Sequence, residues 1–311
     1  MLAILGVTLP FFALILCGYV ARGKGIMKEG SQRALNDFVL FFALPALMVR
    51  TIGAIPIAEI LNPAFLATWT TVSAGMFATV ALTAGLLLRQ PGKTAVIQAF
   101  ACAHGNVGYM GITLVIGVLG PAAAAPVSMA IVIDMLLLIP VVIALTEYLA
   151  RRDGSPLRAL ATAGRAAIAN PLVIPIIFGL ALAWADVTLP KVVDDFLRVL
   201  GMAAVPAALF AIGVTLHGQP MRGAVTELAL LCLMKLIVHP IAVALVATRA
   251  FGLEGELLVA AVLLAALPVA NNVFVLATRY ESRPGLISGA ILVSTSLALV
   301  TFNLWAALAL G

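Results

Sequence analysis

Two segments of the sequence place asparagine beside helix-weakening residues within long apolar stretches. The first, at residues 105–111, reads GNVGYMG, and the second, at residues 268–272, reads PVANN. An asparagine amide both donates and accepts hydrogen bonds, so Asn106, Asn271 and Asn272 could cap an interrupted helix and still bind a ligand. Adjacent helical positions point about 100° apart, so at most one of Asn271 and Asn272 is expected to face a pocket directly.

The glycines of the first segment predict a helix break. Each of Gly105, Gly108 and Gly111 weakens a helix by roughly 1 kcal/mol relative to alanine. A break within a membrane creates a new helix N-terminus, whose free N–H groups and partial positive charge attract an anion. Two such breaks close together would bind a small anion without a buried arginine. The alternative is that the asparagines only cap the broken ends and that the glycines only form a packing face.

Four ionisable residues lie inside apolar stretches, where an unpaired charge is so unfavourable that each is a functional candidate. His104 directly precedes the first break and could titrate or donate to a substrate, or be a packed neutral imidazole. Asp134 could bind a proton or cation, or else bond to unwound backbone. Lys235 and His239 are four residues apart and share a helix face. For Lys235 we favour a structural role, as partner of Asp134 or of a helix C-terminus, over contact with a substrate.

The composition indicates that helices in a membrane position these residues. Apolar residues make up 63% of the 311 residues and charged residues only 10%. Apolar stretches of about 18 or more residues recur along the chain, which a water-soluble core does not need. The net charge of +5 comes from short clusters between these stretches, which indicates membrane topology and not a nucleic-acid partner. The three cysteines are far apart, so neither a disulfide framework nor a metal site is expected.

Ten apolar spans are predicted from the hydrophobic runs and the polar residues between them. Arg22 and Lys24 follow the first span, so this span is expected to be a retained helix and not a cleaved signal peptide. On this assignment most of the 18 basic residues fall in inside loops, which supports a multi-pass protein with both termini outside. The predicted spans are residues 3–20, 34–53, 63–88, 95–119, 122–147, 167–185, 197–216, 225–248, 255–278 and 285–310.

The predicted spans divide into two halves. The longest hydrophilic stretch, residues 148–165, leaves five spans on each side, and an odd number requires the halves to be inverted. Residues 1–150 are then the first five-helix repeat, residues 151–165 a cytoplasmic linker and residues 166–311 the second repeat. The second span of each half carries a Pro-Ala pair and the fourth span carries a break. Paired breaks of this kind are typical of a transporter binding site.

At these positions the sequence resembles the auxin efflux carrier family of transporters, which includes bacterial permeases for malonate and malate as well as the plant auxin carriers. The segment at residues 266–272 looks most like the malonate-permease branch. The resemblance extends along the whole chain, with matching segments at residues 38–47, 105–111, 170–172, 206–213, 235–240 and 266–272.

The resemblance implies an all-α integral membrane protein of ten helices in two inverted repeats, in which spans four and nine are discontinuous and cross. Bile-acid sodium symporters and sodium/proton antiporters share this fold. The resemblance also implies a small carboxylate substrate near the crossing, an elevator-type moving domain and a bacterial cytoplasmic membrane. Such carriers are often homodimers, and no cofactor or metal is expected. The substrate-binding residues that the resemblance implies are Gly105, Asn106, Pro268 and Asn271. Tyr109 and Asn272, in the same two segments, are also predicted to bind the substrate.

Two departures from the family pattern bear on the prediction. Thr113 stands where the family usually has a proline shortly after the first glycine motif, so the first break must depend on its glycines. The long central loop of the plant auxin carriers is absent, which favours an organic acid over auxin as the substrate.

Sodium-coupled symport and an intramembrane enzyme are the two alternative functions. Sodium-coupled symport of an organic anion would need oxygen ligands near the crossing, for which Thr295 is a candidate, but neither interrupted span carries a clear carboxylate. An intramembrane enzyme is disfavoured because the sequence contains no HExxH zinc motif and no DxxxD pair. Asp134 also stands alone, without a second carboxylate beside it. The sequence therefore predicts a carrier and not an enzyme.

Overall fold

The computed structural model describes residues 2–28, 30–150, 156–217 and 225–310. Within these ranges the chain is helical and contains no β-strand, apart from one isolated antiparallel bridge. In chain order the helices are α1 (Leu2–Gly23), α2 (Ser31–Gly53), α3 (Ile57–Leu87), α4 (Gly92–Ala103), α5 (Val107–Leu119), α6 (Pro121–Ala150), α7 (Pro156–Ile168), α8 (Val173–Ala185), α9 (Lys191–Leu216), α10 (Val225–Ala250), α11 (Gly255–Ala265), α12 (Asn271–Arg279) and α13 (Pro284–Leu310).

Long apolar helices dominate the described part of the chain. Seven of them, α1, α2, α3, α6, α9, α10 and α13, are long and apolar enough to cross a membrane. Three more apolar helices, α5, α8 and α11, are shorter. The architecture is therefore that of an integral membrane protein with several spans, as the composition predicts. The helix pairs α4/α5 and α11/α12 fall within predicted spans four and nine, and both spans are interrupted. The count of ten crossings stays a prediction.

The described part of the predicted linker is helical. Residues 151–155 lie outside the described residues, and the rest of the predicted linker belongs to α7, which packs against the end of α6. The division into two repeats and a linker stays a prediction. Span six also begins later than predicted, because α8 starts at Val173, after a break at Asn170 and Pro171. A proline disfavours helical backbone at the residue before it, which accounts for this break.

Several helices contain π-helical turns, in which the hydrogen bonds skip one more residue than in an α-helix. They lie at Val39–Ala43 in α2, Thr83–Leu87 in α3, Asp134–Leu138 in α6 and Met234–Val238 in α10, and α5 opens with the longer π-helical segment Val107–Val115. Thr113 lies within this last segment and donates its hydroxyl to the Tyr109 carbonyl at 2.7 Å. The helix thus continues through the position where the family usually has proline.

The helices pack in two sets. The first set consists of α1, α2, α8 and α9, where α1 packs along α9 and α2 packs on both α8 and α9. The second set consists of α3, α4, α6, α10, α11, α12 and α13, each of which packs mainly on other members of that set. Helix α5 touches both sets, since it packs on α9 as well as on α6 and α11. The two helix breaks therefore connect through α4 and α11 to the second set.

Glycines allow the helix backbones of the first set to touch. A Cβ atom added to Gly18 of α1 would lie 2.0 Å from the carbonyl oxygen of Phe210 on α9. A Cβ atom added to Gly213 of α9 would lie 1.9 Å from the carbonyl oxygen of Ile15. Such backbone contact through small residues is how helices associate in a membrane, where apolar side chains gain nothing by leaving lipid.

This contact predicts the effect of single methyl groups. Gly18→Ala and Gly213→Ala should each lower the free energy of unfolding by about 1–3 kcal/mol or more, because backbone must move to admit the Cβ. Gly75→Ala is the matched control, since nothing lies within 4 Å of its added Cβ on α3. Thermal unfolding of the purified protein in detergent measures the difference. Equal unfolding temperatures for all three variants and the wild type would contradict the direct contact of α1 with α9.

Candidate functional site

The two helix breaks lie against each other. Helix α4 ends at Ala103 and α5 begins at Val107, while α11 ends at Ala265 and α12 begins at Asn271. Between them an antiparallel bridge pairs Gly105 with Val269. The backbone N–H of Asn106 donates to the Pro268 carbonyl at 2.9 Å, and the N–H of Val269 donates to the Ser294 hydroxyl of α13 at 3.2 Å. The extended backbone of each break is thus held by the other break and by α13.

Little room is left beside Gly105 at the centre of the first break. A Cβ atom on Gly105 would lie 3.1 Å from the Lys235 amine nitrogen and 3.4 Å from the Leu264 carbonyl oxygen. A methyl group there would push against the end of α11 and the lysine that contacts it. By contrast, a Cβ atom on Gly108 would meet nothing within 4 Å, so this glycine faces open space.

That open space is a cavity of about 370 Å³ bounded by both helix sets. From the paired breaks it is lined by His104, Gly105, Asn106, Val107, Gly108, Tyr109, Ala270, Asn271 and Asn272. Asp134 and several apolar residues of α6 form another wall. The opposite wall comes from the first set and the break before α8, and includes Leu40, Leu44, Asn170, Pro171 and Leu172.

Most of the predicted site residues meet at this cavity. Of the six predicted substrate-binding residues, five line it, namely Gly105, Asn106, Tyr109, Asn271 and Asn272. Pro268 is not part of the lining, and its carbonyl is bonded to the backbone of Asn106. His104 and Asp134 line the cavity, whereas Lys235, His239 and Thr295 are buried in the helices behind it.

The three asparagines differ in what their side chains do. Neither Asn106 nor Asn271 makes a side-chain hydrogen bond within the described residues, and α5 and α12 both begin without a side-chain cap. The capping interpretation is therefore wrong for this conformation. Asn272 does have a partner, since its amide nitrogen lies 2.9 Å from His104 Nε2. Asn271 and Asn272 both belong to the cavity lining at the first turn of α12, but the Asn272 amide is directed at His104 and its oxygen is buried.

A chain of buried hydrogen bonds leads away from Asn272. The imidazole of His104 contacts Asn272 through Nε2 and contacts Asp134 Oδ2 through Nδ1 at 2.9 Å. The other carboxylate oxygen of Asp134 accepts from the indole N–H of Trp69 at 3.0 Å. His104 is 3% exposed and Asp134 is 1% exposed, and the His104 ring stacks on Phe100. Asp134 thus bonds to side chains and not to unwound backbone.

The sequence did not reveal Trp69 as the partner of Asp134. A buried tryptophan usually finds an acceptor for its N–H, and an unpartnered carboxylate in an apolar span needs donors. These two requirements could have paired Trp69 with Asp134, although the residues are 65 positions apart. Nothing local in either segment identifies the other.

Lys235 contacts the second break from behind. Its amine nitrogen donates to the Ala265 carbonyl at 2.6 Å, at the last residue of α11, and lies 2.9 Å from His239 Nδ1. The side chain is fully buried. Of the two partners predicted for Lys235, the helix C-terminus is therefore the one that it contacts, and a cation is favourable there because the helix end carries partial negative charge.

The buried side chains of Asp134 and Lys235 both belong to π-helical turns. Asp134 opens the turn Asp134–Leu138, and Lys235 lies in the turn Met234–Val238. Such turns are frequent at functional sites, since the extra residue displaces side chains from the regular helical pattern. Together with the π-helical start of α5, they place three irregular segments around the paired breaks.

Two further residues of the cavity were not assigned from the sequence. Arg279, at the end of α12, is exposed and lines the cavity, and its guanidinium carbon lies 5.4 Å from the Tyr280 ring centre. Asn170 accepts a hydrogen bond from the Leu172 N–H at 3.0 Å. In the sequence, Arg279 is one of several basic residues between apolar spans, and Asn170 is part of a segment that matches the family.

A second cavity of about 220 Å³ lies elsewhere, between α3, α4 and α10. Its lining is mainly apolar, and its one carboxylate, Glu227, is bound by the Arg283 guanidinium at 2.7 and 2.5 Å. This hydrogen bonding raises the pKa of Arg283. No group of three or more histidine, cysteine, aspartate or glutamate side chains suited to a metal is found within the described residues.

Comparison with known proteins finds relatives that match most of the chain. A family model described as "Membrane transport protein" matches residues 3–306. A protein of Rhizobium meliloti (strain 1021) named "Putative malonate transporter" is 32% identical over 302 residues, which cover 97% of this chain and 94% of the relative. "Uncharacterized transporter YfdV" of Escherichia coli (strain K12) is 26% identical over 307 residues, covering 97% and 96%.

A plant relative matches over a shorter region. "Auxin efflux carrier component 7" of Arabidopsis thaliana is 31% identical over 142 residues, which are 43% of this chain and 23% of the plant protein. The family match spans nearly all of this chain and includes both helix breaks. The chain therefore belongs to the membrane transport protein family, the auxin efflux carrier family that its sequence resembles.

Proposed function

We propose that this chain is a secondary transporter that carries a small organic anion, a mono- or dicarboxylate such as malonate or malate, across the cytoplasmic membrane of a bacterium. The observation that carries this proposal is the cavity at the paired breaks, where two helix N-termini and two unengaged asparagine amides meet. Its volume, about 370 Å³, is within the usual range for small-molecule sites.

Three features favour an anion in this cavity. Helices α5 and α12 begin at its wall, so the partial positive charge of each N-terminus points toward it. Asn106 and Asn271 offer amide donors, and Arg279 adds a full positive charge at the far end of α12. A carboxylate could accept hydrogen bonds from both amides, with Tyr109 as a further donor. Gly105 and Pro268 would serve by holding the backbone of the two breaks in place.

The relatives narrow the choice of acid. The Rhizobium meliloti protein, similar over almost its full length, is named for malonate. The match to the plant auxin carrier covers less than half of this chain. These similarities support a small carboxylate, with malonate and malate as the first acids to test.

The two helix sets support an elevator mechanism. The cavity lies between them, while the paired breaks join α4 and α11 of the second set. We propose that the second set slides along the first and carries the bound anion with it. Direct backbone contact of α1 with α9 makes the first set the more rigid partner. Alternating access would then be a movement of the whole site and not of single side chains.

The proposal keeps the predicted topology of ten spans, with residues 1–150 and 166–311 as inverted repeats and both termini outside. Arg279 then lies on the cytoplasmic side, so the cavity would open toward the cytoplasm. A homodimer also belongs to the proposal, by analogy with other elevator carriers.

Sodium-coupled symport is the main alternative. A sodium ion would need several oxygen ligands near the crossing. Ser294 of α13 contacts the second break, and Thr295 follows it in the chain and is buried. However, Lys235 already brings an amine to the Ala265 carbonyl behind that break. A second cation at that carbonyl would be repelled by the amine, which favours transport without sodium.

The proposed function predicts uptake of carboxylates by the purified protein. Radiolabelled malonate, malate and acetate are supplied to proteoliposomes under imposed sodium, proton or voltage gradients. At least one acid should accumulate above protein-free vesicles. If none is bound or transported under any gradient, the proposal of an organic-anion carrier fails.

The asparagine amides give a sharper prediction. Asn106→Ala and Asn271→Ala should each weaken malonate binding roughly 10- to 100-fold, since a hydrogen bond to a charged group contributes about 1.5–3 kcal/mol. Asn36→Ala, on the exposed start of α2, is the matched control and should bind like the wild type. Affinity and thermal unfolding are measured in detergent. If the Asn106→Ala/Asn271→Ala double variant binds and transports malonate like the wild type, the binding site lies elsewhere. If the variants fail to fold, the two asparagines have a structural role.

Gly108 allows the cavity to be filled without a change at any polar group. Gly108→Leu should abolish malonate uptake, because the new side chain extends into the open cavity. Its unfolding temperature should stay at or above that of the wild type, since glycine is the weaker helix former. Gly75→Leu places the same side chain in open space on α3, outside the cavity, and should transport normally. Uptake by Gly108→Leu at the wild-type rate would show that the substrate does not use this cavity.

A further inference from the structure

We propose that Arg279 binds the second carboxylate of a dicarboxylate substrate, so that the cavity at the paired breaks selects dicarboxylates over monocarboxylates. The inference rests on the proposed function and assigns a specificity-determining residue to that same site. The proposed substrate has one carboxylate or two, and the positions of the polar groups along α12 favour two.

One face of α12 lines the cavity from the first residue of the helix to the last. The lining residues of this face are Asn271, Asn272, Val275, Leu276 and Arg279, which recur at spacings of three and four residues. The rise from Asn271 to Arg279 is about 12 Å along the helix axis. Helical side chains lean toward the helix N-terminus, so the long side chain of Arg279 can reach back along the cavity toward Asn271. The face therefore has a polar group at each end and apolar side chains between them.

The guanidinium of Arg279 has N–H donors that no other described residue uses. It forms neither a hydrogen bond nor an ion pair within the described residues, and its carbon lies 5.4 Å from the Tyr280 ring centre. By contrast, Arg50 and Arg283 each bind a carboxylate of the protein. A guanidinium stays charged in proteins, and its planar fork of donors matches the two oxygens of a carboxylate. Arg279 is therefore suited to a carboxylate that the ligand brings.

The other end of the cavity is unfavourable for a second carboxylate. Asp134 is the only carboxylate among the described residues of the lining, and it is linked through His104 to Asn272 at the first turn of α12. Its two oxygens contact His104 and Trp69, so this group offers no donor to a ligand and, when ionised, repels an anion. A dicarboxylate is therefore best placed with one carboxylate at the asparagines of the breaks and the other directed toward Arg279.

Two further carboxylates lie near the end of α12 but leave Arg279 to a ligand. Glu281 follows Arg279 by two positions in the chain, and Glu147 of α6 accepts a hydrogen bond from the Tyr280 hydroxyl at 3.0 Å. Neither glutamate lines the cavity, and neither forms an ion pair with Arg279. Because Arg279 is exposed, a ligand carboxylate would replace water at the guanidinium and not a partner from the protein.

Malonamate isolates the second charge, because it replaces one carboxylate of malonate by an amide of nearly the same size. Equilibrium binding of both acids to the purified full-length protein is measured at a pH at which malonate is fully ionised. The wild type should bind malonate roughly 10- to 100-fold more tightly than malonamate. In Arg279→Gln the affinity for malonate should fall by the same factor, while that for malonamate changes by less than about threefold. Arg279→Lys keeps the charge without the planar fork and should retain part of the preference.

Arg249→Gln is the matched control, because Arg249 is also exposed in the last turn of its helix, α10, but does not line the cavity. It should bind both acids like the wild type. Equal losses of malonate and malonamate affinity in Arg279→Gln, or no loss of either, overturn the assignment. If the Arg279 variants do not fold, the wild type alone decides: malonate bound no more tightly than malonamate or acetate also overturns it. A wild type that binds none of these acids, nor malate, would instead refute the proposed carboxylate transport.

Discussion

The hydrocarbon core of a membrane contains no water, so a backbone N–H or C=O that leaves its helix there must find a partner in the protein. This chain leaves helical conformation at two such places, before α5 and before α12. The bridge between Gly105 and Val269 and the bond from Asn106 to Pro268 let each break supply partners for the other. The cavity, the positions of the helix N-termini and the glycine at residue 105 all follow from this mutual pairing.

The pairing also organises the charges. Each interrupted helix ends at the break with partial negative charge, and each of these ends has a side chain able to carry a positive charge: His104 at α4 and Lys235 at α11. Helices α5 and α12 begin at the breaks, and the partial positive charge of their N-termini points toward the cavity. Lys235 therefore lies at one kind of helix end, and the place proposed for the anion lies at the other. Asp134 contacts His104, which leaves Lys235 to the helix terminus and His239.

A feature of this site can be predicted from the sequence when its signal lies within one segment, but not when it depends on contacts between distant segments. Glycine clusters and paired asparagines are local signals, so the sequence predicts both breaks, and five of the six residues predicted to bind substrate line the cavity between them. The partners of Asp134, the place of Lys235 at the end of α11 and the cavity position of Arg279 depend on contacts between distant segments. Helix α7 was missed for another reason: its polar residues match a linker in composition, although a helix can carry them on one face.

The mutual pairing of the breaks has a consequence for biosynthesis. A ribosome delivers the chain from the N-terminus, so α4 and α5 enter the membrane long before the segment around Val269 has been made. During that interval the extended backbone at Gly105 and Asn106 lacks the partner that it has in the folded protein. The N-terminal half can therefore complete this hydrogen bonding only after the C-terminal half has entered the membrane. Truncated nascent chains should accordingly be substrates for membrane quality control.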